Sequence, residues 1–306
     1  MDKLRGYVLP IAMVLGFLLH GWCGRVAFLA PYLIFIILLL NFVAVDLRKL
    51  RLTRLSVWIM AFQMIASVGA YFAIHALCHN ELLAQGVFIG ILCPVAASVV
   101  VVSCMLGANR ETITEYTIFG NLLIVVIAPF YFSFIGLHQE MAFWTSFFII
   151  LKKISATIAL PFFVALLLQL CWPSANRFLS RYKDITFYVW AFLLLITLGR
   201  TIDFVFLHGK GNGLNIIWLG IASILVCILN FGLGKWVGRH YGDTIAGGQL
   251  MGQKNTAFGI WMATTFLNPL ASVFLAFYSV WQNLFNSWQI WRHERKLAEE
   301  DIPTSS

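Results

Sequence analysis

A lysine and three side-chain amides stand together in an otherwise apolar stretch of the sequence, GGQLMGQKNTAFG, residues 247–259. The amides are Gln249, Gln253 and Asn255, and the cation among them is Lys254. Amide oxygens accept hydrogen bonds and an ammonium group donates three, so this cluster could hold a cation or bind an anionic ligand. A lysine at the centre of a membrane helix costs about 2.5–3.5 kcal/mol on insertion, so a buried one needs polar partners. Snorkelling of the side chain to an interface is the alternative.

The elements that must position this cluster are membrane spans. Hydrophobic residues make up 60% of the 306 residues and charged residues 11%, against about 25% charged in a soluble domain. Apolar runs of about 20 residues recur along the whole chain, and each can cross a hydrocarbon core of about 30 Å. We predict an all-α polytopic membrane protein with ten spans and no separate soluble domain. The spans cover residues 7–22, 27–46, 56–76, 86–106, 114–135, 154–172, 185–207, 214–233, 244–266 and 269–291.

The basic residues predict the orientation of these spans. The apolar segment 141–151 ends in Lys152 and Lys153, so we predict an interfacial helix that leads into the sixth span. Most of the 21 Lys and Arg residues fall in loops on one side of the ten-span arrangement. By the positive-inside rule both termini are cytoplasmic, in a protein of the plasma (inner) membrane. The net charge of +8 follows from this topology, so the expected partner is the lipid bilayer and not a nucleic acid.

Two spans are interrupted at corresponding positions. Ten spans divide into two halves of five, and an odd number per half requires the second half to be inverted. The fourth span of the first half contains Pro94 followed by small residues, and the fourth span of the second half contains the cluster around Lys254. A proline kink and glycine packing are the alternative explanation, but matched interruptions indicate a transporter binding site. We therefore predict inverted repeats in residues 1–140 and 141–291, a tail at 292–306, and fourth and ninth spans that break and cross.

At these residues the chain resembles the bile acid:sodium symporter family, as a divergent bacterial-type member. The family's fourth span reads C-P-G-G-x-x-S-N, and here Cys93-Pro94 is followed by Ala97-Ser98. The ninth span reads E-x-G-x-Q-N, and Gln249 and Gln253 keep its spacing from E to Q. The tenth span carries V-W-H-N, and Val280-Trp281-Gln282-Asn283 stands at that place. The likeness in topology covers nearly the whole chain, while the motifs cover a small part of it.

The resemblance implies a four-helix panel, a six-helix core, and alternating-access transport of a small-molecule organic anion, amphipathic or small, coupled to sodium. The family's third span carries a ligand glutamine, which Gln63 matches here. The candidate substrate-binding residues are Lys254, Asn255, Gln282, Asn283 and Ala97. The candidate cation-site residues are Lys254, Gln249, Gln253, Gln63, Ser98, Thr114, Thr117 and Asn121. Among these, the sodium ligands would be Gln63, Ser98, Gln249 and Gln253.

Three departures from the family pattern weaken this sodium site. The family's ligand asparagine is Val99 here, and its ligand glutamate is Gln249. After Gln253, where the family has an asparagine, this chain has Lys254. Two unit charges about 4 Å apart repel by about 4 kcal/mol at an effective dielectric near 20. We therefore expect sodium coupling to be weakened or absent. Lys254 is then either a tethered replacement for the coupling cation or the partner of an anionic substrate.

The remaining polar residues predict no chemistry of their own. No Cys/His spacing is typical of a metal site, and no Ser-His-Asp arrangement or phosphate-binding loop is present, so we predict neither enzymatic activity nor a cofactor. The alternative function is a membrane sensor or a scaffold on a transporter fold without transport. Arg200 and Asp203 are spaced for a local ion pair, with anion attraction by the arginine as the other reading. Cys23 and Cys78 share the predicted outer side and could pair or remain free.

Overall fold

The computed structural model describes residues 11–12, 14–47, 51–96, 99–136, 142–182, 185–208 and 210–300. In these ranges the chain is all-α, and its only β pairing is one isolated bridge. The predicted all-α class is therefore confirmed for the described residues. Two of the candidate site residues, Ala97 and Ser98, lie outside them.

The α-helices are numbered along the described chain. The first seven are α1 His20–Val26, α2 Ala30–Val43, α3 Arg54–Cys78, α4 Glu81–Leu92, α5 Val99–Met105, α6 Arg110–Ile135 and α7 Phe143–Ile154. The next seven are α8 Leu160–Cys171, α9 Pro173–Ser180, α10 Ile185–His208, α11 Gly213–His240, α12 Thr244–Gly252, α13 Thr256–Phe266 and α14 Ser272–Glu300.

Six helical segments of the described chain are long and apolar enough to cross a membrane, which indicates an integral membrane protein. The segments are His20–Val43, Arg54–Cys78, Arg110–Ile135, Phe143–Cys171, Tyr188–Leu207 and Gly213–His240. Each of these segments corresponds to one of the ten predicted spans, and the count of ten stays a prediction. The two interrupted spans fall on the shorter helix pairs α4–α5 and α12–α13.

Two predicted boundaries differ from the structure because helix continues through them. The expected loop at residues 23–26 is helical, and α1 joins α2 through a 3-10 turn at Ala27–Leu29. The expected interfacial helix is not separate from the sixth span, since α7 continues into α8 through a π-helical turn at Ser155–Ala159. Lys152 and Lys153 lie directly before that turn and are exposed. A single wide turn accommodates the lysine pair at the surface of a continuous helix, so no break in the helix is required.

The helices fall into two groups by their contacts. In the first group, α10 packs on α1 and α2, and α2 packs on α8 and α9. In the second, α3 packs on α4, and α11 packs on α4, α12 and α14. The groups meet where α10 contacts α13 and α14. The first helices of the two interrupted pairs, α4 and α12, therefore both belong to the second group, and α13 packs on α14 of the same group.

Glycines allow α11 and α12 to approach each other closely. A Cβ atom on Gly247 would overlap the carbonyl oxygen of Gly234 and would lie 2.6 Å from the Cα atom of Gly238. Helices in lipid associate through such contacts between small residues, because lipid tails are as apolar as the side chains and provide no hydrophobic drive. The backbone of α12 is thus in direct contact with the backbone of α11.

We expect Gly247→Ala to destabilise the protein by about 1–3 kcal/mol, because the added methyl group can be accommodated only by moving a backbone. Gly232→Ala on α11 is the matched control, since a Cβ atom there meets no atom within 4 Å. Unfolding of both variants in detergent measures the difference. Equal midpoints for the two variants would show that the close approach of α11 and α12 does not limit stability.

Candidate functional site

Both interrupted segments lose their helix at the residues that the sequence indicates. Pro94 disfavours helical backbone at the residue before it, and Cys93 adopts φ −50° and ψ 129° at the end of α4. In the other segment α12 ends before Gln253, which has φ −89° and ψ 93°. Asn255 then begins α13, and its side chain accepts a hydrogen bond from the N–H of Phe258 at 3.2 Å. Asn255 is therefore a helix N-cap.

The two breaks pair with each other. Val95 and Lys254 form an antiparallel bridge. Its flanking hydrogen bonds run from Ala96 N–H to the Gln253 carbonyl at 3.0 Å and from Asn255 N–H to the Pro94 carbonyl at 2.8 Å. Backbone groups released from a helix at membrane depth need partners inside the protein. Each break supplies partners for the other, and we call this paired region, residues 93–96 with 253–255, the crossing.

Lys254 lies at the centre of the crossing, and only 1% of its surface is exposed. Its Nζ atom donates a hydrogen bond of 2.8 Å to the carbonyl oxygen of Ile91. That oxygen belongs to the last turn of α4, whose carbonyls have no partner within the helix. The negative end of the helix dipole favours a cation at this position. The ammonium group is therefore placed as a cap on the broken fourth segment.

The side chain of Gln282 binds the backbone of Lys254 from α14. Its Oε1 atom accepts a hydrogen bond from the Lys254 N–H at 2.8 Å, and its Nε2 atom donates one to the Lys254 carbonyl at 3.1 Å. The Lys254 carbonyl also accepts from the N–H of Thr256 at 2.9 Å. An amide side chain thus pairs with the extended residue as a neighbouring β-strand would. Gln282, which belongs to the motif predicted for the tenth span, therefore contacts the crossing.

Gln63 on α3 binds the carbonyls at the end of α4. Its Nε2 atom donates hydrogen bonds of 2.8 Å to the carbonyls of both Leu92 and Cys93. Its Oε1 atom accepts from the hydroxyl group of Tyr116 at 2.7 Å. Lys254 and Gln63 together therefore satisfy three successive carbonyls at the break. Tyr116 on α6 was missed by the sequence reasoning, and no motif in the sequence marks it.

A polar stripe on α14 contacts residues 249–254, at the end of α12 and in the break that follows it. Tyr278, Gln282 and Asn286 are spaced four residues apart, so they lie on one face of the helix. The Tyr278 hydroxyl donates to the Gly252 carbonyl at 2.7 Å, and Gln249 Nε2 donates to Asn286 Oδ1 at 3.0 Å. The sequence reasoning missed Tyr278 and Asn286. The spacing of four residues is the signal that could have found them.

Several predicted site residues bond elsewhere. The Nδ2 atom of Asn283 donates to the Ser279 carbonyl of its own helix at 2.6 Å. Three further side chains donate to backbone carbonyls one turn earlier in α6. The hydroxyl groups of Thr114 and Thr117 donate to the carbonyls of Arg110 and Ile113, both at 2.8 Å. Asn121 Nδ2 donates to the Thr117 carbonyl at 2.5 Å. In the part of the chain that the structure describes, Gln63, Asn255 and Gln282 form hydrogen bonds at the crossing. The side chains of Asn283, Thr114, Thr117 and Asn121 bond within their own helices.

One predicted ion pair is replaced by another contact. The Oδ1 atom of Asp203 lies 2.9 Å from Nδ1 of His20, which belongs to α1, so the expected partner Arg200 is not the residue that Asp203 contacts. Gly24 allows this contact, because a Cβ atom there would lie 2.6 Å from Asp203 Oδ2. Packing of α1 on α10 therefore overrides the local spacing of i and i+3.

The two cysteines on the predicted outer side do not pair. Cys23 is buried against α10 and Cys78 is exposed at the end of α3, and both are free thiols. The described residues also contain no group of three or more His, Cys, Asp or Glu side chains that could hold a metal ion.

Two cavities lie outside the crossing. An apolar cavity of about 310 Å³ lies between α10 of the first helix group and α14 of the second, which form most of its wall. Its lining residues are Phe17, Leu198, Thr201, Ile202, Val205, Phe206, Ile216, Val273, Ala276, Phe277 and Val280. A more open, polar cavity of about 610 Å³ lies between the residues that precede α6 and those that precede α12. None of the predicted substrate-binding residues lines either cavity.

Comparisons with family models and with curated proteins identify no relative of this chain. The likeness to the bile acid:sodium symporter family therefore rests on the residues that carry it, and what the structure establishes is an all-α integral membrane protein in which two broken helices pair at Lys254.

Proposed function

We propose that this protein is a secondary transporter of a small or amphipathic organic anion that works by alternating access. The proposal includes a ten-helix fold of two inverted five-helix repeats, with both termini on the cytoplasmic side of the plasma membrane. The observation that carries it is the pairing of two broken helices around a buried lysine. Irregular backbone at membrane depth is typical of transporter binding sites. The two contact groups support an arrangement of panel and core.

In this proposal the Lys254 ammonium replaces the coupling cation. It binds the Ile91 carbonyl at the end of α4, where a free cation would also be favoured. Neither Val99 nor Gln249 supplies the negative charge that a sodium ion beside an ammonium group would require. The transporter would therefore depend weakly on sodium or not at all.

The substrate would use two features near the crossing. The first feature is the N-terminus of α13, where Asn255 is the N-cap. Helix N-termini attract anions through free N–H groups and the positive end of the helix dipole. The apolar cavity between the helix groups suits the hydrocarbon part of an amphipathic anion. Lys254 and Gln282 would then act mainly by holding the crossing in shape, because each uses its polar groups on the neighbouring backbone.

One observation favours the second candidate, a sensor or scaffold without transport. Both polar atoms of the Gln282 amide bind the backbone of Lys254, so this predicted substrate contact is already occupied. A crossing held closed in this way would suit a protein that keeps the fold and has lost alternating access.

The test is uptake by the purified protein in lipid vesicles. Steroid carboxylates and sulfonates and small carboxylates would be offered with sodium, potassium and pH varied independently. We expect saturable uptake of at least one anion at a rate that changes less than about twofold when sodium is replaced by potassium. Uptake that stops without sodium would overturn the replacement of the coupling cation by Lys254. Absence of both uptake and binding across the panel would favour the scaffold.

A further inference from the structure

Two basic side chains, Lys235 on α11 and Arg292 on α14, lie over neighbouring aromatic rings of α14. Lys235 lies near the C-terminal end of α11, and Arg292 lies in the C-terminal half of α14. Each stands over one of two aromatic rings of α14 that contact each other, so the two charges are close enough to repel. In the described part of the chain neither residue forms an ion pair with a carboxylate. The distribution of basic residues predicts that this end of both helices faces the cytoplasm. Two like charges held together in this way favour an anion between them.

Aromatic rings hold the two cations in place. The Nζ atom of Lys235 lies 5.2 Å from the centre of the Phe285 ring, and Cζ of Arg292 lies 5.5 Å from the centre of the Trp288 ring. The two rings contact each other, with centres 5.6 Å apart. Contacts between cations and rings fix the positions of the charged groups. Among the residues that the structure describes, neither charge has a carboxylate as counter-ion.

Two buried amide atoms beside this pair have no partner among the described residues. The stem of Lys235 lies against Gly248, where a Cβ atom would be 2.7 Å from Lys235 Cγ. The next residue, Gln249, bonds to Asn286, which follows Phe285 on α14. This bond leaves Gln249 Oε1 and Asn286 Nδ2 unpaired, although the two residues are only 1% and 4% exposed. Reversing both amides would still leave one donor and one acceptor without a partner among the described residues.

Exposed tryptophans place the basic pair at the depth of lipid headgroups. Trp236, Trp288 and Trp291 are 73%, 46% and 56% exposed, and all three lie at the same end of α11 and α14 as the pair. Tryptophan is enriched at the boundary between hydrocarbon and headgroups. Basic pockets between membrane helices at that depth bind lipid phosphates, and guanidinium groups match phosphate oxygens in a bidentate geometry.

We propose that Lys235 and Arg292 bind the phosphate group of an anionic phospholipid from the leaflet at this end of the helices. The bound phosphate carries one negative charge and therefore offsets the repulsion between the two basic groups. Because the Lys235 stem packs on Gly248, the lipid is connected to α12, the first part of the broken ninth segment. A ligand that binds only the folded protein stabilises it, so the lipid should strengthen the seating of α12 against α11.

Native mass spectrometry of the detergent-solubilised protein, titrated with phosphatidylglycerol or phosphatidylcholine, tests the site. We expect tighter binding of phosphatidylglycerol, and about thirtyfold weaker binding of it by the variant Lys235→Gln/Arg292→Gln. That factor corresponds to the loss of two basic groups at about 1 kcal/mol each. The matched control is Arg177→Gln/Arg181→Gln, which removes the same charge from exposed positions at the same predicted face. The control should bind like the unchanged protein.

Two other results would overturn the proposal. Equal losses in the two double variants would show that only net charge matters. Thermal stabilisation by inorganic phosphate that equals stabilisation by phosphatidylglycerol would assign the pair to a soluble anion. If Lys235→Gln/Arg292→Gln does not fold, the single variant Arg292→Gln replaces it, because Arg292 is exposed and its loss leaves the contact of Lys235 with α12 intact. Unchanged phosphatidylglycerol binding by that variant would also contradict the site.

Discussion

Replacing Lys254 by alanine is expected to lower the free energy of unfolding by about 1–3 kcal/mol. The Ile91 carbonyl loses its donor in a buried site, and an unpaired buried acceptor costs about that amount. Loss of the buried methylene stem adds to the effect, and relief from burying an ammonium group offsets part of it. Denaturant unfolding in detergent measures the change. Lys210→Ala is the control, since that lysine is exposed.

The same variant tests whether the ammonium group stands in for a cation. In Lys254→Ala the carbonyls at the end of α4 are left beside a vacated volume, so sodium should raise the unfolding midpoint relative to an equal concentration of potassium. The unchanged protein should show no such difference. The combined variant Lys254→Asn, Gln249→Glu and Val99→Asn should respond more strongly, because it restores a carboxylate and an amide oxygen. Specific stabilisation of the unchanged protein by sodium would contradict the proposal.

Gln282→Ala should destabilise the protein by about 1–3 kcal/mol, while the neighbouring change Asn283→Ala should cost less than about 1 kcal/mol. The Gln282 side chain holds the Lys254 N–H, which has no other partner among the described residues. The Lys254 carbonyl keeps the bond from Thr256, so only one backbone group becomes unpaired. The amide of Asn283 bonds to its own helix, so its loss leaves the crossing intact.

Unfolding of both variants under identical conditions makes this comparison, and their affinities for any anion found in the uptake screen extend it. Equal costs for the two changes would show that both residues of the tenth-span motif matter alike. That result would restore the prediction that Gln282 and Asn283 line a common substrate site. A larger cost at Gln282 with unchanged anion affinity would assign this residue to holding the crossing.

The sequence determined the features that depend on composition and on local backbone chemistry. The apolar runs indicate membrane helices because length and hydropathy alone decide whether a helix can cross a bilayer. Pro94 ends α4 because it lacks an N–H group, and the glycine-rich polar stretch ends α12 at the expected place. The need to satisfy released backbone groups at membrane depth then predicts that the two breaks meet.

Only the tertiary structure decided which side chains serve the crossing. Lys254 binds a carbonyl of Ile91, far away in the chain, and Asp203 contacts His20 in place of Arg200 on its own helix. On α14 the motif match covers two adjacent residues, but neighbours on a helix point about 100° apart, so only Gln282 faces the crossing. The rotation of each helix about its axis settles such choices. In lipid the outer surface of a helix is as apolar as its packed surface, so the sequence of an apolar helix carries little record of that rotation.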